Sequence, residues 1–485
     1  MDDRNAKLVV KSDRDAMPKK SRHVDLSDQK LPSLLLRLAI PSVIGLSINA
    51  LQQLLNAIFV GSLGAQAIAA VSMTMPIIIL LAAAGEGIGV GTASFISRHL
   101  GAGNELEASR GASTALALAA PIGVIMTVGL LLSLRGIFVA LGASPTILPI
   151  ALDYATILLP GSTLMLLNIV SGFIARAEGN TLFSMWTMLS AFILNALLDP
   201  IFIFLLDLGV RGAALATLLS QIAAISLYIG YFTKGWGTVF VRISQVSLRV
   251  DRIRELALIG APATATSILS ALAGMFLYGA AARFGDEFVA AVGIAVRILT
   301  IGALPITGFC IGSQAVLGFG WGARDLARVL RVAKFMLSIT VALSFAYSAA
   351  VMLFVRPLVR LFSDSDKVTE IAVSTCIIFH LFFGLFGIQS FVTTMLQSLG
   401  RARLSAVVSF ARQGYLFIPA VLLFPVISGF SGVLASQAIA ELGAGMIALF
   451  VMFRQFAELR QGDRHIQPGI ESALSSDKEI IGAGI

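Results

Sequence analysis

Long apolar runs, broken by short clusters of charge, proline and glycine, follow one another along the chain. Twelve can be counted, at roughly 34–60, 68–97, 111–134, 147–175, 183–206, 211–232, 256–282, 288–319, 333–354, 371–399, 404–424 and 432–453. A helix needs about 20 apolar residues to cross a hydrocarbon core of about 30 Å, and nothing here alternates as the strands of a membrane barrel would. The pattern therefore predicts an all-α integral membrane protein with twelve transmembrane helices.

The pattern also repeats. An offset of 221 residues brings Pro41 onto Pro262, Gly64 onto Gly285, Gly87 onto Gly308, Gly91 onto Gly312, Gly101 onto Gly322, Arg110 onto Arg331, Arg135 onto Arg356 and Gly179 onto Gly400. Six spans per half is an even number, so both halves enter the membrane from the same side. The expected architecture is two six-helix lobes related by a pseudo-twofold axis along the membrane normal, as in transporters that rock one lobe against the other. The divisions expected are a disordered tail at 1–30, an N-lobe at 31–232, a charged connector at 233–254, a C-lobe at 255–454 and a tail at 455–485. Matched glycines at helical spacing let membrane helices approach closely.

Composition agrees: 57% of the 485 residues are hydrophobic, 13% are charged, and mean hydropathy is +0.90. The net charge of +8 is mostly an orientation signal. Of the 35 basic residues, 26 fall in the N-tail, the even-numbered loops and the C-tail, against six in the odd-numbered loops, so both termini are expected in the cytoplasm. The basic residues of the N-tail and connector are free to touch anionic lipid, and no basic patch interleaved with aromatics calls for nucleic acid. The first 30 residues hold no apolar core of a cleavable signal peptide. Cys310 and Cys376 lie in apolar runs without metal-ligand spacing, so neither a disulfide nor a metal site is expected. GEGIGVG at Gly85–Gly91 does not sit between a strand and a helix and is not read as a phosphate loop, and no catalytic motif of a hydrolase or transferase appears.

Polar residues inside the runs are where function is sought. LNALLDPIFIFLL, Leu194–Leu206, places Asn195 one helical turn before Asp199, with Pro200 opening the backbone beside it. A buried carboxylate in a membrane costs several kcal/mol unless it faces protein or an aqueous cavity, so Asp199 is a candidate to exchange an ion. Glu86 is a second such acid, suited to attract a cation or to pair with an arginine. Arg297 and Arg412 are expected in ion pairs or carbonyl bonds of the C-lobe, and His380 as a packed neutral ring.

The ordered set IPSVIGLSINALQQLLNAIFVGSLGAQAIAAVSMTMPI, GVGTASFISRHLGAGN, LNALLDP, RGAALATLLSQ, RFGDEFVAAVGIAVRI and LQSLGRARLSAVVSFARQG resembles the multidrug and toxic compound extrusion family over residues 33–454. That resemblance implies a V-shaped exporter of organic, often cationic, small molecules in exchange for H⁺ or Na⁺, multi-pass in the cytoplasmic membrane, monomeric and without an organic cofactor. Its proton-coupled members imply an N-lobe coupling site at Asn195, Asp199 and Thr217. Where those relatives carry an acid in the first span this chain has Asn56, so a two-carboxylate relay is not expected. Positions that hold C-lobe acids in other relatives correspond to Ser270 and about Phe386, which disfavours sodium coupling there. Glu86, with Asn49 and Gln52, is expected to line the substrate cleft, and Glu441 to be a structural acid. The alternative, a flippase for lipid-linked oligosaccharide, would require deep basic residues in the cleft; the first two spans offer none.

Overall fold

A computed structural model describes residues 25–482, with side chains described as far as residue 461. Most of the N-terminal tail lies outside the described residues. Helices account for nearly all of the rest, and no strand occurs among them. Eleven are long and apolar enough to cross a membrane, and a twelfth span consists of two helices meeting at 47°. In order they are α1 (Leu31–Gly61), α2 (Ala65–Gly101), α3 (Glu105–Ala140), α4 (Ile147–Ala177), α5 (Thr181–Leu205), α6 (Gly209–Thr233), α7 (Val250–Ala282), α8 (Asp286–Gly322), α9 (Leu326–Leu353), the bent α10 (Asp366–His380 with Gly384–Ser398), α11 (Ala402–Ser428) and α12 (Phe430–Gly482).

The local signals that place these helices recur at the 221-residue offset. Asn104 caps α3 by accepting from the Glu107 amide, and Asp325 caps α9 by accepting from the Arg328 amide. Gly64 and Gly285 precede α2 and α8 with φ of 105° and 120°, a backbone that an L side chain rarely adopts. Breaks recur as well: α4 passes through a 3₁₀ turn at Leu159–Gly161, around Pro160, and α10 bends near residue 381. No proline causes the second bend. Ser348 donates to the freed His380 carbonyl at 2.6 Å, while the His380 ring packs among Tyr347 and Phe383.

The halves meet through α2 against α7 and α1 against α8. Matched glycines make this approach possible. A Cβ at Gly87 would strike Thr264, and one at Gly308 would strike Val43. At Gly101 it would land on the Phe319 carbonyl, and at Gly322 on the Arg98 carbonyl. These contacts all lie toward the end of the molecule where α1 begins and α2 ends, called here the terminal side. Toward the opposite end α1 and α7 expose large apolar residues such as Leu54, Ile58, Leu272 and Met275, and no atom comes within 4 Å of where a Cβ at Gly274 or Gly279 would stand. The halves are thus closed at the terminal side.

Two segments cross over to reinforce the closed end. Residues 25–30 precede α1 yet dock on the C-terminal half, where Arg328 donates to the Ser27 and Asp28 carbonyls at 3.0 Å, and Leu26 is buried in the core with Val329 and Phe391. Those last residues of the tail expected to be disordered are therefore ordered. The connector precedes α7 yet lies on the N-terminal half. Ser109, Ser113 and Thr114 of α3 accept from the amides of Phe240, Arg242 and Ser247, and Glu107 pairs with Arg252.

Candidate functional site

In the N-terminal half, α5 ends its regular turns at Pro200 and continues as a π-helix, Ile201–Leu205. Pro200 has no N–H to give, and the wider turn accommodates the freed carbonyls. Asp199, just before this break, has 0% of its surface exposed, and Asn195 has 2%. Asn195 Nδ2 donates to Asp199 Oδ1 at 3.3 Å, as the one-turn spacing predicted. Gln52 of α1 then donates through Nε2 to Asn195 Oδ1, also at 3.3 Å. The three side chains form one directed chain of donors ending on the carboxylate.

Around that chain stand groups with spare capacity. Asp199 Oδ2 and Asn56 Oδ1 are buried without a hydrogen-bond partner. The buried Tyr154 of α4 lies against Asn56 and near the Asp199 carboxylate, a neighbour that sequence reasoning missed because nothing in its run sets that tyrosine apart. Asn56 therefore belongs to the cluster. Thr217 is partly buried on α6, and its hydroxyl returns to the Ala213 carbonyl of its own helix at 3.0 Å instead of reaching Asp199.

Gln52 also lines a cavity of about 290 Å³ in the N-terminal half, together with Asn49, Glu86, Asn168, Arg176 and Gln221, with Ile311 of α8 at its edge. All three residues expected in the substrate cleft are in this wall. Glu86 is exposed to the cavity and accepts a 2.7 Å hydrogen bond from Ser267 of α7, so it joins the two halves. Arg176, which the sequence places at the end of a span, reaches into the same cavity, held over the Phe173 ring at 4.4 Å and donating to Ser184 at 2.8 Å. Long side chains extend several ångströms from their helical position, so a loop-edge arginine supplies the deep cation that the first two spans lack. Acid and base thus share one chamber.

In the C-terminal half, Arg412 pairs with the buried Glu441 at 3.6 Å, the ion pair expected for it. Arg297, by contrast, is exposed and forms no salt bridge among the described residues. Ser270 is exposed on α7 and spends its hydroxyl on the Thr266 carbonyl, while Phe386 stacks on Phe383.

The MatE family model matches residues 41–201 and again 262–423, two matches whose starts are 221 residues apart. The chain is 29% identical over 420 residues to the multidrug export protein MepA of Staphylococcus aureus (strain NCTC 8325 / PS 47), covering 86% of this chain and 93% of that one. Among solved structures it is similar to an outward-facing conformation of a multidrug resistance MATE family transporter of the MOP superfamily, with a TM-score of 0.85, 27% identity, and coverage of 92% of this chain and 100% of that one. It is equally similar, at 0.85 and 27%, to a MOP superfamily transporter from Pyrococcus furiosus described as having a binding pocket of reverse polarity, over 91% of this chain and 100% of that one.

Proposed function

The chain belongs to the MatE family, and on that premise we propose that it exports organic small molecules, cationic ones included, across the cytoplasmic membrane by H⁺ antiport. Twelve spans in two halves that close on each other at the terminal side support alternating access. With both termini in the cytoplasm, as the distribution of basic residues supports, the form described here faces outward.

One observation carries the coupling: Gln52 belongs both to the cavity wall and, through Asn195, to Asp199. While Asp199 is ionised it accepts from Asn195, Asn195 accepts from Gln52, and the Gln52 carbonyl oxygen is left for the cavity, where it suits a cation. When the proton sits on Oδ1, Asp199 donates there, both amides reverse, and Gln52 presents its NH₂ group instead. A proton on Asp199 and a cation against Gln52 and Glu86 therefore disfavour each other, which is the condition for exchange. Asn56 and Tyr154 complete the cluster without adding a second carboxylate, so one proton is the most that it carries. Sodium has a poorer claim, since this cluster offers one carboxylate and no ring of oxygens around it.

The test is uptake of a fluorescent organic cation into vesicles holding the purified protein, with pH and sodium gradients imposed separately. A pH gradient alone should concentrate the dye, and Asp199→Asn should abolish that while leaving a folded, inserted protein. Glu86→Gln should weaken transport of cations more than of neutral compounds. Uptake by Asp199→Asn at the wild-type rate, or dependence on sodium alone, would overturn the reading. The alternative of a lipid-linked cargo draws on two guanidinium groups, Arg176 and Arg412, facing cavities; accumulation of a water-soluble dye inside sealed vesicles distinguishes export from lipid flipping.

A further inference from the structure

A second cavity, about 310 Å³, lies in the C-terminal half, and the coupling reading above makes no use of it. Its chemistry differs from that of the first. Arg412 projects into it from a π-helical stretch of α11, Ala411–Leu416, where the extra residue in the turn turns the side chain away from the regular helical face. The Phe386 ring lies 4.7 Å below the guanidinium carbon and fixes its plane. Behind it Glu441 balances the charge, but at 3.6 Å the contact is longer than a hydrogen bond, and both Glu441 oxygens lack a hydrogen-bond partner. Guanidinium N–H groups therefore remain for the cavity.

Two further donors are already desolvated there. Gln314 is 4% exposed and Ser409 is 5% exposed, both line the cavity, and neither Gln314 Nε2 nor Ser409 Oγ has a partner. A buried donor without an acceptor costs about 1–3 kcal/mol, so both groups would gain from an acceptor oxygen placed in the cavity. Glu86 stands on the shared wall of both cavities.

We propose that this cavity is a second binding site, for the carboxylate of a cargo molecule, held by Arg412, Gln314 and Ser409, with Phe386 beneath the guanidinium. A molecule with an amine on the Glu86 side and a carboxylate on the Arg412 side would bridge the halves. The proposal concerns the other half of the molecule and depends on neither H⁺ coupling nor Asp199.

The experiment is equilibrium binding, by fluorescence polarisation, of rhodamine B as its free acid and as its ethyl ester, which share a cationic ring system and differ at the carboxylate. Wild-type protein should bind the acid about tenfold more tightly than the ester, as a charge-assisted bidentate contact would give. Arg412→Gln alone leaves Glu441 unpaired, so the paired variant Arg412→Gln with Glu441→Gln is used, and the preference should fall to about one. Gln314→Met keeps the ion pair and should lower the preference about threefold by removing one neutral donor. Equal binding of acid and ester by the wild type, or a preference that survives the paired variant, would overturn the proposal. Failure of the ester to bind while the acid binds would instead count against cation recognition by Glu86 and leave the carboxylate site standing.

Discussion

The two halves share a scaffold and not a chemistry. Glycines at the common offset bring α2 to α7 and α1 to α8 by the same backbone approach, down to the reciprocal fit of Gly101 on Phe319 and Gly322 on Arg98. The polar interiors then diverge. The N-terminal half holds a buried acid without a cationic partner, Asp199, joined to two amides beside a π-helix that follows Pro200; the C-terminal half holds an arginine and an acid, with its π-helix at the arginine itself. Closure demands steric identity on both sides of the pseudo-axis, because both halves must meet. Ion exchange needs a carboxylate on only one side, so the other was free to become something else.

The comparison is broken most severely at the C-terminal pair. Arg412→Gln should lower stability by about 3 kcal/mol, since it leaves Glu441 charged and buried, and the added Glu441→Gln should restore most of it. Thermal unfolding in detergent reads both, and equal destabilisation by the single and paired variants would show that the ion pair is not what matters. No comparable rescue exists for Asp199, which has no cationic partner.

Next come the glycines. Gly101→Ala and Gly322→Ala should each cost the closed terminal side about 2 kcal/mol, because a backbone carbonyl stands where the methyl would go. Distances between spin labels on α2 and α8 should show both variants shifted toward an open terminal side by the same amount. A large effect from one and none from the other would mean that the repeat is a relic without mechanical meaning.

A smaller effect separates the two crossing segments. Glu178 lies just past the end of α4 and accepts from the Val239 amide of the connector at 2.9 Å. Burial pushes its carboxyl from 4.5 up to about 7, against the pull of Tyr231 and the connector amides. A native state that holds the proton more tightly than the unfolded chain is favoured fully below about 4.5, and the advantage is lost as pH rises through about 7. The connector should thus loosen on the N-terminal half as pH rises. Trp236 lies in the connector beside Phe183, and its fluorescence should report a transition near 7 that Glu178→Gln abolishes. The N-terminal segment, held by Arg328 on carbonyls, should show none.

Much of the fold was legible because apolar length, cap residues and the glycine repeat are local in sequence. The bend in α10 was not, since no proline marks it and its freed carbonyl is taken by Ser348 from another helix. In the site, the pairing of Asn195 with Asp199 was legible because one turn separates them. The contribution of Tyr154 was not, since it comes from 45 residues away and from a side chain with no distinctive context. The reach of Arg176 was not legible for a related reason: sequence gives the height of a Cα and not where a long side chain extends from it. The docking of residues 25–30 is set by Arg328, about 300 residues away, so composition alone suggested only a tail.

The central claim is that one carboxylate in the N-terminal half couples export to a single proton through Gln52 and Asn195. It is tested most directly by counting protons released when a permanently charged organic cation binds to the purified protein in weakly buffered solution with a pH indicator. The account predicts release of up to one proton per molecule bound, lost in Asp199→Asn and reduced in Gln52→Leu, which cuts the relay and leaves the carboxylate. Release that persists undiminished in Asp199→Asn would contradict it.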